Sequence, residues 1–511
     1  MGRHTYITAA AAALTAVTGC TGNFEKYNTE PFSIPEMDPS LLVPAMIKHI
    51  MYVDNGSAQL IDQMVGSLGG YYVISSRFGG ENFDTFNASD AWNATPWNTP
   101  FTGIYANFFE IEKSTGAEGP YYAMARIMRA AAMFRVTDLY GPIPYSEVRD
   151  GMTYVPYDSA EDVYRNIITD LTEGAEALLE FVSQYPSVRP LADSDPVYEG
   201  DYAAWARFAN TICLRAALRS SNQEAAIAAF ESPAGLIDGN DMNAVMEVGG
   251  QSNPFQICAA SWGDLRTSSS IVDYMQGYND PRMDSYFTLS TYPGYTDRYV
   301  GMRCGEAGFE ESAVQGYSMP AYDVSDPVLV YVAAETKFIL AEMALRGWIQ
   351  GEPGAYYEEG IRLSMEQYGV PSSEIEAYVS DSESIPGDHL DDPRNSDVRS
   401  YDYDRKTTVT IAWDESLSFD QKLEKIITQK WIAIYPMGLE AWAEFRRTGY
   451  PELAPAMDNL SGGVITDNVR GMRRLRYPYT ELDYNRDNYM EAVQMLGGTD
   501  DESVDLFWTK K

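Results

Sequence analysis

The stretch YYAMARIMRAAAMFRVTDLY, residues Tyr121–Tyr140, decides the architecture. Met124, Ile127, Met128, Ala131 and Phe134 recur at three- and four-residue steps, the period that turns one face of an α-helix toward a core. The same period returns in Glu161–Phe181, where Val163, Ile167, Ile168, Leu171, Leu178 and Leu179 share a face. Tyr202–Leu218, Val328–Leu345, Tyr356–Tyr368 and Leu423–Phe445 repeat it, and an earlier helix is predicted over Met46–Leu68. A chain with this many amphipathic segments is mainly α.

Small and large residues alternate within these helices. Ala130 with Phe134, and Ala334 with Phe338, match the A-x₃-F element of tetratricopeptide repeats. Ala341–Gly347 followed by Tyr356, Tyr357 and Ile361 reads as helix, turn, helix. The expected fold is a tetratricopeptide-like helix-turn-helix scaffold with degenerate, irregularly spaced repeats. Long irregular stretches interrupt it near 69–100, 232–303 and 372–413, dense in Gly, Pro, Asn, Asp and aromatics. Loops of that length are uncommon unless they bind something or are disordered, and their aromatic content argues for binding. The first two form the expected ligand face.

At the start, Arg3 precedes an apolar run from Tyr6 to Val17, and Thr18-Gly19 leads into Cys20. That is the layout of a secretory signal with a lipoprotein cleavage site, so residues 1–19 are read as signal and Cys20 as the lipidated first residue of a single domain, 20–511. A secretory signal followed by a chance cysteine is the alternative. After Val17 no apolar stretch approaches the length that spans a bilayer. The charge is −37, from 37 Lys plus Arg against 74 Asp plus Glu, a field that repels nucleic acid. Cys213, Cys258 and Cys304 are odd in number and fit no zinc spacing, and His49 and His389 stand far apart outside any HExxH context. No cofactor, metal site or catalytic residue is expected.

Motifs in order along the chain carry a resemblance. Cys20-Thr21-Gly22-Asn23-Phe24-Glu25-Lys26-Tyr27-Asn28-Thr29-Glu30-Pro31 opens it, and Thr137-Asp138-Leu139-Tyr140-Gly141-Pro142-Ile143-Pro144-Tyr145-Ser146-Glu147 follows. Near the end come Gln429–Ala433, Glu440–Pro451, the basic Arg473-Arg474-Leu475-Arg476-Tyr477-Pro478 with Glu481, and Gly497-Gly498-Thr499-Asp500. Together these resemble the SusD/RagB family; Phe507-Trp508 stands where one branch commonly has paired tryptophans. The resemblance implies a surface-facing outer-membrane lipoprotein, lipid-anchored, that captures oligosaccharides, or peptides as in RagB. It also implies delivery to a SusC-like TonB-dependent outer-membrane transporter, no enzymatic activity, and about four helix pairs cradling that partner. Physically, Pro142 and Pro144 forbid helix after Tyr140. Arg446, Arg447, Arg473 and Arg474 are read as scaffold, pairing with carboxylates.

A sugar site needs flat aromatic faces beside hydrogen-bonding side chains. Tyr71–Phe101 offers Tyr72, Arg77, Trp92, Trp97 and Asn98; one of its two tryptophans is expected to be an anchor, Trp97 before Trp92. A second cluster comprises Trp262, Tyr274, Tyr278, Tyr286, Tyr292, Tyr295 and Tyr299, of which Trp262, Tyr292 and Tyr295 are candidate ligand contacts. The acidic loop Asp388–Asp404 lacks EF-hand spacing and is read as solvated rather than calcium-binding. Two other functions stay open: an anchored glycoside hydrolase, for which 74 acids supply carboxylate pairs without selecting one, and a lid with no ligand. Aromatic loops favour glycan over peptide.

Overall fold

Eight helices in four successive pairs make the frame of the computed structural model, which describes residues 37–510. The first pair is α1 (Asp90–Thr115) with α2 (Gly119–Tyr140), the second α3 (Ala160–Gln184) with α4 (Tyr202–Arg219). The third is α5 (Ala333–Leu345) with α6 (Pro353–Gln367), the fourth α7 (Phe419–Ala433) with α8 (Gly438–Thr448). Each pair packs on the next, as the periodic stretches predict. The fully buried Trp205, Trp431 and Trp442 mark the core that runs through them. The signal 1–19, Cys20 and the opening motif through Pro31 lie outside the described residues.

Caps set several of these ends. Ser159 and Asp201 accept backbone N–H groups of the first turns of α3 and α4, and Ser418 and Gln421 form a reciprocal capping box on α7. Proline changes two expectations. Leu423–Phe445 is not one helix, because Pro436 separates α7 from α8. Conversely, Pro96 and Pro100 sit inside α1, which packing holds together: Trp97, Ile104, Tyr105, Phe108 and Ile111 are all buried. The end of the expected loop 69–100, from Asp90 onward, is therefore helix. Met46–Leu68 is broken once: helix Pro39–Ile47 ends there, and a second helical run over Asn55–Gly69 follows, capped by Asp54, which accepts from the Ser57 N–H at 2.8 Å. Val328–Tyr331 is strand β4, not helix, and pairs antiparallel with β2 (Ala244–Met246). A second ribbon joins β1 (Tyr72–Ile74) to β3 (Leu265–Thr267).

Buried charges lock the last three pairs together. Arg215 of α4 grips Glu335 of α5 with two hydrogen bonds, and Lys430 of α7 lies within 3.4 Å of Glu335, Glu440 and Glu444. Arg447 is bidentate on Glu342 of α5 at 2.7 and 2.6 Å. Burial alone would raise the Glu444 carboxyl; Arg447 and Lys430 overcome it and hold the group well below the usual range. Arg447, Arg473 and Arg474 pair with Glu342, Asp505 and Asp500 as expected of scaffold. Arg446 differs. It lies over the Trp442 ring at 3.7 Å and donates to the carbonyls of Asp138 and Arg473, with no carboxylate partner among the described residues, so burial lowers its pKa to about 9.

Candidate ligand-binding face

The two sequence clusters meet through the three-residue ribbon. Its register sets Tyr72 opposite Thr267 and Ile74 opposite Leu265. Ser75 extends the pairing, its N–H donating to the Asp264 carbonyl and its hydroxyl to the Gly263 carbonyl, both at 2.8 Å. Arg77 and Trp262 therefore leave the ribbon at the same end, although 185 positions would separate them in an extended chain (Arg77 to Trp262). Trp262 is 48% exposed, a large indole face turned to solvent. Arg77 is exposed too, and its guanidinium has no partner among the described residues; its backbone is engaged, the N–H donating to Glu311 at 2.8 Å and the carbonyl accepting from the Gly80 N–H at 2.7 Å.

The strip bearing Tyr292 and Tyr295 joins this end from the other side. Gln315 donates to the Gly263 carbonyl at 3.2 Å, and Ser290 to the Gly316 carbonyl at 2.9 Å. The Tyr292 ring covers Gly316, where any Cβ would lie 2.7 Å from its Cγ, and meets Tyr317 edge-on with centroids 5.1 Å apart. Its hydroxyl donates to the Ala313 carbonyl, and the residue is half-buried. Tyr295 is half-buried under the Arg298 guanidinium at 5.2 Å.

Other candidates lie elsewhere. Tyr72 is 0% exposed and donates to the Pro436 carbonyl; it is a core residue with no face for a ligand. Trp97, 4% exposed, is enclosed by Phe101, Tyr140, Tyr157 and Tyr477 and is the anchor of α1. Trp92 is half-buried against Phe78 and Phe83, where it braces the turn that carries Arg77. Asn98 is exposed on α1, and no described contact ties it to the ribbon end. Tyr274, Tyr278 and Tyr286 of the second cluster are buried.

Three aspartates of the 388–404 loop are engaged within the protein, while Asp391, Asp397 and Asp404 are exposed. Asp388 accepts from the Arg405 N–H, Asp402 from Asn395, and Asp392 from both His389 and the Tyr317 hydroxyl. His389 sits between Asp273 and Asp392 at 3.2 and 3.0 Å. Burial would lower its pKa, but the two carboxylates prevail and raise it to about 9. Among the described residues no group of three or more His, Cys, Asp or Glu is disposed to hold a metal.

A part of this face that sequence reasoning missed is a pocket beside Arg77, built from the segments around Asn82, Glu306–Phe309 and Leu460. These residues come from three distant stretches with no common pattern, so only the fold reveals it.

The family model described as SusD and RagB outer membrane lipoprotein matches residues 25–509. The chain belongs to the SusD-like family. Members are nutrient-binding outer-membrane lipoproteins. A SusD-like protein of Bacteroides thetaiotaomicron is 34% identical with a TM-score of 0.87, covering 93% of this chain and 99% of its own. A SusD homologue of Bacteroides uniformis is 36% identical, TM-score 0.84, with the same coverages of 93% and 99%. A chitin-binding SusD homologue of Flavobacterium johnsoniae is 32% identical, TM-score 0.86, covering 92% and 98%. No match was found among curated proteins. None of the described helices is long and apolar enough to cross a membrane.

In this SusD-like chain the family motifs are structural joints. The Leu475 N–H donates to Leu139, Arg474 to Tyr140, and the Tyr477 hydroxyl to Pro142, so the Thr137–Glu147 block and the Arg473–Pro478 element are built against each other. Gly141, at φ +87°, makes the turn between helix and prolines.

Proposed function

We propose that this chain captures oligosaccharides on the Arg77–Trp262 face and passes them to a SusC-like TonB-dependent transporter, without catalysis of its own. The carrying observation is the convergence at one ribbon end of an exposed indole and an unpaired guanidinium. A sugar ring stacks its C–H face on the first and places hydroxyls against the second. Likeness to a chitin-binding homologue supports a glycan over a peptide. Acylated Cys20 would hold the protein on the outer membrane, facing the cell surface, beside its partner.

Calorimetric titration of the purified protein with glycan and peptide libraries tests this reading. A glycan is expected to bind without turnover, and Trp262→Ala to weaken it about tenfold, near the 1.4 kcal/mol that one stacked aromatic supplies. Binding confined to peptides, or cleavage of the bound glycan, would refute it. Co-purification with a TonB-dependent barrel from native membranes checks the partner.

A further inference from the structure

The pocket beside Arg77 has a chemistry of its own. Its walls include Arg77, Asn82, Thr85, Glu306, Phe309 and Leu460. Asn82 is 7% exposed and pinned twice: its carbonyl accepts from the Asn87 N–H at 3.0 Å, and its Oδ1 from the Asp84 N–H at 2.8 Å. The second bond fixes which end of the amide is oxygen. Its Nδ2 is the end left over, with no partner among the described residues. Asp84 is itself anchored to β1, accepting from the Ile74 N–H at 2.9 Å. The donor is thus held in place by the ribbon that sets Arg77.

The remaining polar side chains of the pocket are engaged, Ser76 by Asp264. Thr85 donates its hydroxyl proton to Asn87 at 2.6 Å. Glu306 takes both arms of Arg394 at 2.6 and 2.7 Å and the Tyr401 hydroxyl at 2.8 Å, which neutralises and saturates its carboxylate. What the pocket offers is two free donors, Asn82 Nδ2 and the Arg77 guanidinium, beside the apolar surfaces of Phe309 and Leu460, the latter 46% exposed.

An acetamido group has the complementary parts: one carbonyl oxygen that accepts, and one methyl. A hydroxyl lacks the methyl. A carboxylate would set its charge against Phe309 and Leu460 in a chain of charge −37. We propose that this pocket selects the acetamido substituent of a 2-acetamido sugar, its carbonyl on Asn82 and Arg77 and its methyl on Phe309 and Leu460. The assignment rests on the glycan reading above and names the substituent that reading leaves open.

The test is titration with β-1,4-linked N-acetylglucosamine oligomers, β-1,4-linked glucose oligomers of equal length, and oligogalacturonate. The acetylated series is expected to bind at least tenfold tighter than the glucose series, because the glucose 2-hydroxyl can accept a hydrogen bond but brings no methyl to Phe309 and Leu460. Asn82→Asp keeps the acceptor for Asp84 and removes the free donor; it is expected to erase that preference. Equal affinities for the acetylated and glucose series, tighter binding of the uronate, or a preference that survives in a folded Asn82→Asp variant would each overturn the proposal. Because the ligand series needs no mutation, misfolding of the variant leaves the test intact. Failure of all three glycans to bind would overturn the pocket assignment, while the glycan reading stands or falls on the library titration above.

Discussion

Replacing His389 by Gln should change how stability depends on pH, not only its level. The imidazole lies between the Asp273 and Asp392 carboxylates at 3.2 and 3.0 Å, with Arg405 3.8 Å from Asp273 and the Tyr317 hydroxyl on Asp392. Its pKa rises from 6.5 to about 9, so the folded state holds the proton more tightly than the unfolded chain. Such a group stabilises fully below pH 6.5 and loses its contribution as pH rises through 9. The shift corresponds to about 3 kcal/mol. Lys425, pulled down to about 8 by burial, works in the opposite direction, which makes the wild-type curve alone ambiguous. The readout is therefore the difference in unfolding free energy between wild type and His389→Gln, from denaturant titrations at pH 6 to 10. That gap should be widest at pH 6 and narrow by about 3 kcal/mol by pH 10. A gap constant over the range would refute the reasoning, since the ring would then be neutral throughout and act by shape alone.

Three further substitutions test the frame. Trp97→Ala empties the cage of four rings around it and should cost about 3–5 kcal/mol in a thermal or denaturant melt. Gly69→Ala would place a Cβ 2.4 Å from the Gly438 carbonyl oxygen and 2.9 Å from Ala441 Cβ; backbone cannot yield there as a side chain could, so loss of soluble folded protein is expected on expression. Arg219→Met strips Asp138 and Glu440 of a buried partner and should cost about 3–5 kcal/mol, with part regained in the double variant that adds Asp138→Asn. Chemical unfolding of the two proteins measures the recovery.

The frame was legible where periodicity was long and uninterrupted. Tyr121–Tyr140, Glu161–Phe181 and Tyr202–Leu218 are helices within a few residues of their predicted ends. Residues 90–100 were not, because Pro96 and Pro100 are local breakers and the packing of Trp97 that overrides them is set by Tyr140, Tyr157 and Tyr477, far along the chain. The same limit governs the candidate face. Arg77 and Trp262 carry plausible chemistry in sequence, but their meeting depends on a ribbon of three residues per strand, too short to announce itself. Tyrosine content misled for a physical reason. Tyr72, Tyr278 and Tyr286 bury their rings and satisfy each hydroxyl on a distant carbonyl, of Pro436, Val409 and Ile432 respectively, which composition cannot distinguish from exposure.

The ribbon's inner end ties the candidate face to the last helix pair. Tyr71 stacks on Trp431, whose indole donates back to the Gly69 carbonyl, and residues 66–69 lie against α8. Arg446 of α8 in turn lies over Trp508, three residues from the last. The ligand-side turn thus takes its floor from α7 and α8. Damage to α7 or α8, far from the face in sequence, would therefore loosen the face as well.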